Sequence, residues 1–274
     1  MQHPKSSRRL TWIRTASLLG ALCVARPAHA QIAVVGSTVE EHTSTPGETY
    51  TGTIVVRNLT EVRQPVRIYQ TDYLFYADGT SHFNDPGTSA HSNAAWITPM
   101  VRTLLVPPSS EMSVSYTVKV PPGDSLVGTY WSTIMVEGAP IEASRPTGGR
   151  PAVGVGAVMR YAVQVVTHIK TTGTRKVSFS NSKFLTNPDS SQAFEVDVQN
   201  SGERAYRPTL WIEVYDDKGT LIANARQERG LLYPGTSLRQ TFALGKLARG
   251  SYRAVVFADS GEDAVFASQF TLKF

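Results

Sequence analysis

The residues of this 274-residue chain with the best claim to chemistry are few and scattered. His82 and His91 lie close together with Asp78 and Asp85 nearby, an imidazole and carboxylate set of the kind that holds zinc. A tetrahedral site needs three or four converging ligands, and this spacing does not announce them. Asp259-Ser-Gly-Glu-Asp263 gathers carboxylates around a glycine as a calcium loop does, yet the same string makes an ordinary charged turn. No Gly-x-Ser-x-Gly elbow occurs, and no Ser, His and Asp set stands together. The carboxylates fall mostly in turns or on wet strand faces, where nothing drives them toward a catalytic pKa. The expectation is a non-enzyme with no catalytic residues, no metal and no cofactor.

Residues 1–30 have a different character. Lys5, Arg8, Arg9 and Arg14 precede an apolar run over 16–25, and Ala28-His29-Ala30 follows as a small-x-small site. This is the layout of a secretory signal peptide, too short in its apolar part for a permanent anchor. Cleavage is expected after Ala30. With Arg26 the leader holds 5 basic residues and no acid; 27 Lys+Arg less 5 leaves 22, equal to the 22 Asp+Glu of the chain. The formal charge of +5 therefore belongs to the leader, and the mature chain is neutral. A neutral surface has no field to gather phosphate backbones, which argues against nucleic acid. No other segment is long and apolar enough to be an integral membrane span. The only cysteine, Cys23, is also in the leader, behind Leu22, so the mature domains must be held by their cores and not by disulfides. The leader reads as bacterial, and the product as periplasmic, secreted or displayed on the cell surface.

The elements that would position any site are strands. Short runs rich in Val, Ile, Thr and Tyr are separated by Pro, Gly, Asn and Asp, as in 51–57, 66–76 and 112–120. The last of these alternates apolar and polar residues, the mark of one buried and one wet face. The chain also repeats its punctuation. Asn58, Gln64-Pro65, Asp78-Gly79, Val106-Pro107-Pro108 and Gly128-Thr-Tyr130 recur as Asn200, Arg207-Pro208, Lys218-Gly219, Tyr233-Pro234-Gly235 and Gly250-Ser-Tyr252. The surplus of the first copy falls in 80–95. Turns every 8 to 12 residues between some seven short strands are the immunoglobulin-like signature, and each Gly-x-Tyr is placed to form a tyrosine corner. The expected fold is all-β: two tandem immunoglobulin-like antiparallel β-sandwiches at 31–172 and 173–274, behind the leader at 1–30. Residues 138–154, rich in Pro, Gly, Ser and Arg, read as a long hairpin loop of the first domain, and the joint as 170–175. Tyr69, Tyr73 and Phe75 share parity while Tyr76 opposes them; with Trp96, Trp131 and Trp211 they read as core and corner residues.

Taken with the exported N-terminus, the strand ending in Val-Arg-Asn58, Trp96-Ile97 before Pro107-Pro108 and Pro121-Pro122-Gly123 before Gly128 resemble two families. One is the bacterial surface proteins that interact with WxL cell-wall proteins. The other is the periplasmic chaperones of pilus assembly, which likewise join two immunoglobulin-like domains. The second resemblance implies that the last strand of the first domain is lent to an incomplete subunit, whose terminal carboxylate is clamped by a basic residue on the first strand and another on the last. Val153, Val155, Met159, Tyr161, Val163 and Val165 alternate along the corresponding strand, and Arg160 lies on it; the first strand, 31–41, holds no Lys or Arg. Those seven residues are the candidate partner-binding set, and the same apolar pattern also suits a strand that closes its own sheet. The leading expectation is an exported, non-catalytic interaction or structural module of the cell envelope. The alternative is a pilus or fimbria chaperone acting by strand donation, and a distant third is an extracellular enzyme or metal-binding protein. The partner in the first two is another envelope or surface protein, a pilus-type subunit in the chaperone case.

Overall fold

The computed structural model describes residues 31–140, 157–261 and 264–273. The expected leader with its cleavage site and nearly all of the expected 138–154 loop lie outside them. The elements in order are β1 (Ile32–Val35), β2 (Val39–Ser44), β3 (Thr49–Asn58), β4 (Gln64–Phe75), β5 (Ser81–Asn84), a 3-10 turn (Ala94–Trp96), β6 (Ile97–Pro99), β7 (Thr103–Val106), β8 (Glu111–Lys119), β9 (Gly128–Gly138) and β10 (Arg160–Ile169). There follow β11 (Val177–Thr186), β12 (Gln192–Asn200), β13 (Thr209–Tyr215), β14 (Leu221–Glu228), β15 (Ser237–Gly245), β16 (Ser251–Asp259) and β17 (Val265–Lys273).

Four sheets make two immunoglobulin-like sandwiches. In the first, β1-β3-β8-β6 faces β2-β10-β9-β4-β5, with β7 also paired to β4; in the second, β11-β12-β15 faces β14-β13-β16-β17. Alternation explains the faces. On β8, Val114, Tyr116 and Val118 are buried and Ser113 and Ser115 exposed; on β13, Leu210, Ile212 and Val214 are buried between half-exposed neighbours. Each sandwich has its own apolar core, one centred on residues such as Ile54, Val56, Ile134 and Val163, the other on Phe194, Val196, Ile212 and Phe242.

Four expectations need correcting. The first strand is not continuous: β1 pairs antiparallel with β3, then the chain crosses to the other sheet, where β2 runs parallel to β10. Gly36 lies in the crossing at φ +98°, a value an L side chain rarely adopts. The surplus of 80–95 is not all loop, since β5 pairs with the end of β4. Val155 lies outside the described residues, and the strand expected to resume there begins only at Arg160. Finally, Trp211 is no core residue. It stands on the outer face of β13, its ring stacked at 4.7 Å on Phe257 of β16 while Arg226 of β14 covers it at 5.4 Å. With both ring faces taken, this is a cross-strand ladder that stiffens the sheet.

Candidate functional site

The site is best built outward from β10, because it has three different surroundings. Its odd residues point into the first sandwich: Val163 and Val165 are each 1% exposed and belong to the core. Tyr161 is half-buried there and donates its hydroxyl to the Ile32 carbonyl at 2.9 Å, closing the seam between the two sheets. These three of the seven candidate residues face the core of their own sandwich. Met159 and Arg160 are exposed, and Val153 and Val155 lie outside the described residues.

The even residues near the end of β10 point the other way and meet the second sandwich. Val166 packs with Trp131, Ala205 and Tyr233 in a small interdomain cluster. Trp131 belongs to a column of rings, stacked on Tyr233 at 4.6 Å and on His91 at 6.2 Å. Its indole N–H donates to the Tyr73 carbonyl at 2.7 Å. Tyr233 also donates to Gln164 Oε1 at 2.5 Å. At the lower edge Arg207 donates to Glu41 at 2.5 Å, and His168 Nε2 lies 3.2 Å from the same carboxylate. The Thr129 hydroxyl oxygen accepts from the Ala205 N–H at 2.9 Å and lies 3.0 Å from His168 Nδ1. The Glu41 carboxylate can only accept, so a neutral ring donates Nε2–H to it and leaves Nδ1 to accept from the Thr129 hydroxyl. Burial, reinforced by the positive charges of Arg204 and Arg207, holds the His168 pKa below its usual value despite the carboxylate. Burial would raise Glu41, but the bonds from Arg207 and His168 outweigh it and hold its pKa low.

The third surrounding is the backbone edge. Gly138 N–H donates to Met159 carbonyl and Gln164 N–H to Thr38 carbonyl, so odd residues of β10 bond toward β9 and even ones toward β2. Yet β2 pairs only with Gln164–Ile169, whereas β9 pairs with all of Arg160–Ile169. Among the described residues, the stretch 160–163 thus has a strand neighbour on one side only. The N–H and C=O groups of Arg160 and Ala162 face that open side.

Beside the edge lies a charged row that the sequence did not reveal. Arg67 on β4 and Arg160 on β10 both pair in register with Glu137 on β9. Glu137 takes Arg160 Nε at 2.6 Å, Arg67 Nη2 at 2.9 Å and the Tyr69 hydroxyl at 2.9 Å. Burial works against the Glu137 carboxylate, and these donors more than compensate, so its pKa is lowered. Only the strand pairing brings the three charges together; parity along each strand is the one signal in the sequence, and it does not say which strands are neighbours. Neither β1 nor β2 contains Lys or Arg, so the second basic residue implied by the chaperone resemblance has no counterpart there.

The histidines and acids considered for metal are apart: His82 packs against Tyr76 and His91 against Tyr130 and Trp131. Among the described residues no three His, Cys, Asp or Glu side chains are grouped to hold an ion. Asp259 Oδ1 accepts from the Gly261 N–H at 2.8 Å, as in a turn.

No protein-family model matches this chain, and no curated protein matches it. Solved structures do. One is a chaperone–tip adhesin complex of CFA/I fimbriae biogenesis, at 9% identity over 88% of this chain and 98% of that one, TM-score 0.45. Another is the class 5 fimbriae chaperone CfaA, at 11% over 87% and 98%, TM-score 0.42. A third is the E. coli chaperone DraB, at 14% over 88% and 95%, TM-score 0.41. None of the three is a WxL-interacting protein. With every score below 0.5, a functional reading has to stand on the geometry of the chain itself.

Proposed function

We propose that this chain is an exported, non-catalytic interaction protein that receives an extended segment of another envelope protein along the open edge of β10, in the manner of a pilus-type assembly chaperone. The observation that carries this is the mismatch in pairing: β9 accompanies β10 from Arg160 onward, and β2 joins only at Gln164. The stretch that has no second neighbour among the described residues is about 13 Å long at the usual rise per residue. A strand end left with unpaired N–H and C=O groups is a template for another chain, and main-chain hydrogen bonds give such an augmented strand its affinity. A leader cleaved after Ala30 would deliver the chain to the periplasm, and a joint at 170–175 would keep β10 wholly within the first domain.

Ala162→Pro tests the reading. It removes an N–H that faces the open side and leaves the bonds toward β9 in place, a position where a strand tolerates proline. The chain with its leader is expressed in its own host, and the periplasmic fraction is purified. The wild type should bring down an envelope subunit in stoichiometric amount, and Ala162→Pro should lose it while melting within a few degrees of wild type. A proline variant that retains the subunit refutes the reading.

A further inference from the structure

The charged row continues the argument, on the assumption that the edge of β10 receives a strand. Across the outer face of the sheet, Arg67, Glu137 and Arg160 stand side by side on β4, β9 and β10 and alternate in sign. Among the described residues the row stops at Arg160, because β2 does not reach that far. Glu137 is 14% exposed and already shared by both guanidinium groups, which are 60% and 56% exposed. The trio carries a net charge of +1 beside the open edge. Directly opposed residues of neighbouring strands lie within reach of each other's side chains, favouring opposite charges and penalising like ones.

We infer that the segment received by β10 carries an Asp or Glu at the position opposite Arg160, extending the row to a fourth, negative member. The residues on either side of that acid point inward, toward the seam where Tyr161 meets Ile32, and are apolar. Opposite Ala162 the partner's side chain again points outward, and the alanine leaves room for a large one. The ligand class is therefore an extended, alternating peptide with one acidic outward position. A basic residue there would face Arg160 and be rejected.

Synthetic ten-residue peptides alternating Val with Thr, with one central Thr replaced by Asp, Asn or Lys, serve as probes in fluorescence anisotropy with the mature chain. The Asp peptide should bind roughly two- to fivefold more tightly than the Asn peptide, and the Lys peptide more weakly than either, as expected for one cross-strand ion pair. Arg160→Gln should erase the order, and Arg160→Glu should reverse it, with circular dichroism showing both variants folded. Equal affinities for the three peptides, all abolished by Ala162→Pro, would overturn the acidic preference and leave the edge reading standing. An order that survives Arg160→Glu would overturn the preference as well. Binding unaffected by Ala162→Pro, or no binding of any peptide, would overturn both.

Discussion

Asn58 and Asn200 hold the same place in the two sandwiches, each as the last residue of a strand and each at most 1% exposed. Asn58 Nδ2 donates to the carbonyls of Val106 and Pro107 at 3.1 and 2.9 Å, and its Oδ1 accepts from Thr60 N–H at 2.9 Å. Asn200 Nδ2 donates to Leu232 and Arg204 carbonyls at 3.0 and 2.8 Å, and its Oδ1 accepts from Gly202 N–H at 3.0 Å. Each amide pins a distant proline turn to the strand end. Alanine at either position strands buried carbonyls, at about 2–4 kcal/mol. Aspartate should cost as much, since it also lacks the donors. Urea unfolding of Asn58→Ala and Asn200→Ala checks this, and a loss below about 1 kcal/mol in both would contradict it.

The joint between the sandwiches should weaken in mild acid. His168 is held below its usual 6.5, so as pH falls past that value the unfolded chain takes up a proton that the folded one resists, and stability declines. Glu41, held below 4.5, adds its own loss as pH falls further. Melting temperature against pH should show both limbs in the wild type. His168→Gln should flatten the upper limb and leave the lower; an unchanged upper limb would exclude His168 as its source.

Asp72 should govern the loop after β5. Though 1% exposed, its carboxylate accepts from Ser89 N–H at 2.7 Å, Ser92 hydroxyl at 2.5 Å and Gly87 N–H at 3.2 Å. Asp72→Ala removes the acceptor for all of them, at about 2 kcal/mol, and limited proteolysis should then cut within 85–92. Resistance equal to wild type would show that the loop is held by other contacts.

The two Gly-x-Tyr sequences should respond differently to the same change. Gly128 has φ +81°, and a Cβ there would lie 2.0 Å from the Glu203 carbonyl oxygen of the second sandwich. Gly128→Ala should cost about 2–4 kcal/mol and loosen the joint, seen by small-angle scattering. A Cβ on Gly250 would meet only the Tyr252 ring, at 3.5 Å, so Gly250→Ala should be nearly neutral. Equal melting of the two variants would refute the distinction.

That contrast marks how far the sequence could be read. Strands, turns and the doubling of the fold were legible because period-two alternation and Asn, Pro and Gly punctuation are local. The tyrosine corner formed where expected in the second sandwich, with Tyr252 donating to Ala248 carbonyl at 2.7 Å. In the first, Tyr130 packs against Trp96 and His91, and its Gly128 serves the domain contact. Nothing local distinguishes the two motifs. The same holds for β10: the alternation of Val163 and Val165 favours a core-closing strand and also suits a lendable one, and only the register of β2 shows where along β10 the backbone has a second described neighbour. Glu137, Glu41 and Arg207 were illegible because their partners sit on strands far away in the chain.

The ring column has one more consequence, for anyone cutting the protein down. Trp131 and Val166 are 2% and 0% exposed, in a cluster to which the second sandwich contributes Ala205 and Tyr233. A fragment ending near Lys170 would carry that apolar face into water on a sheet already bearing a bare edge, and such patches aggregate. The second sandwich thus acts as the cover of the first.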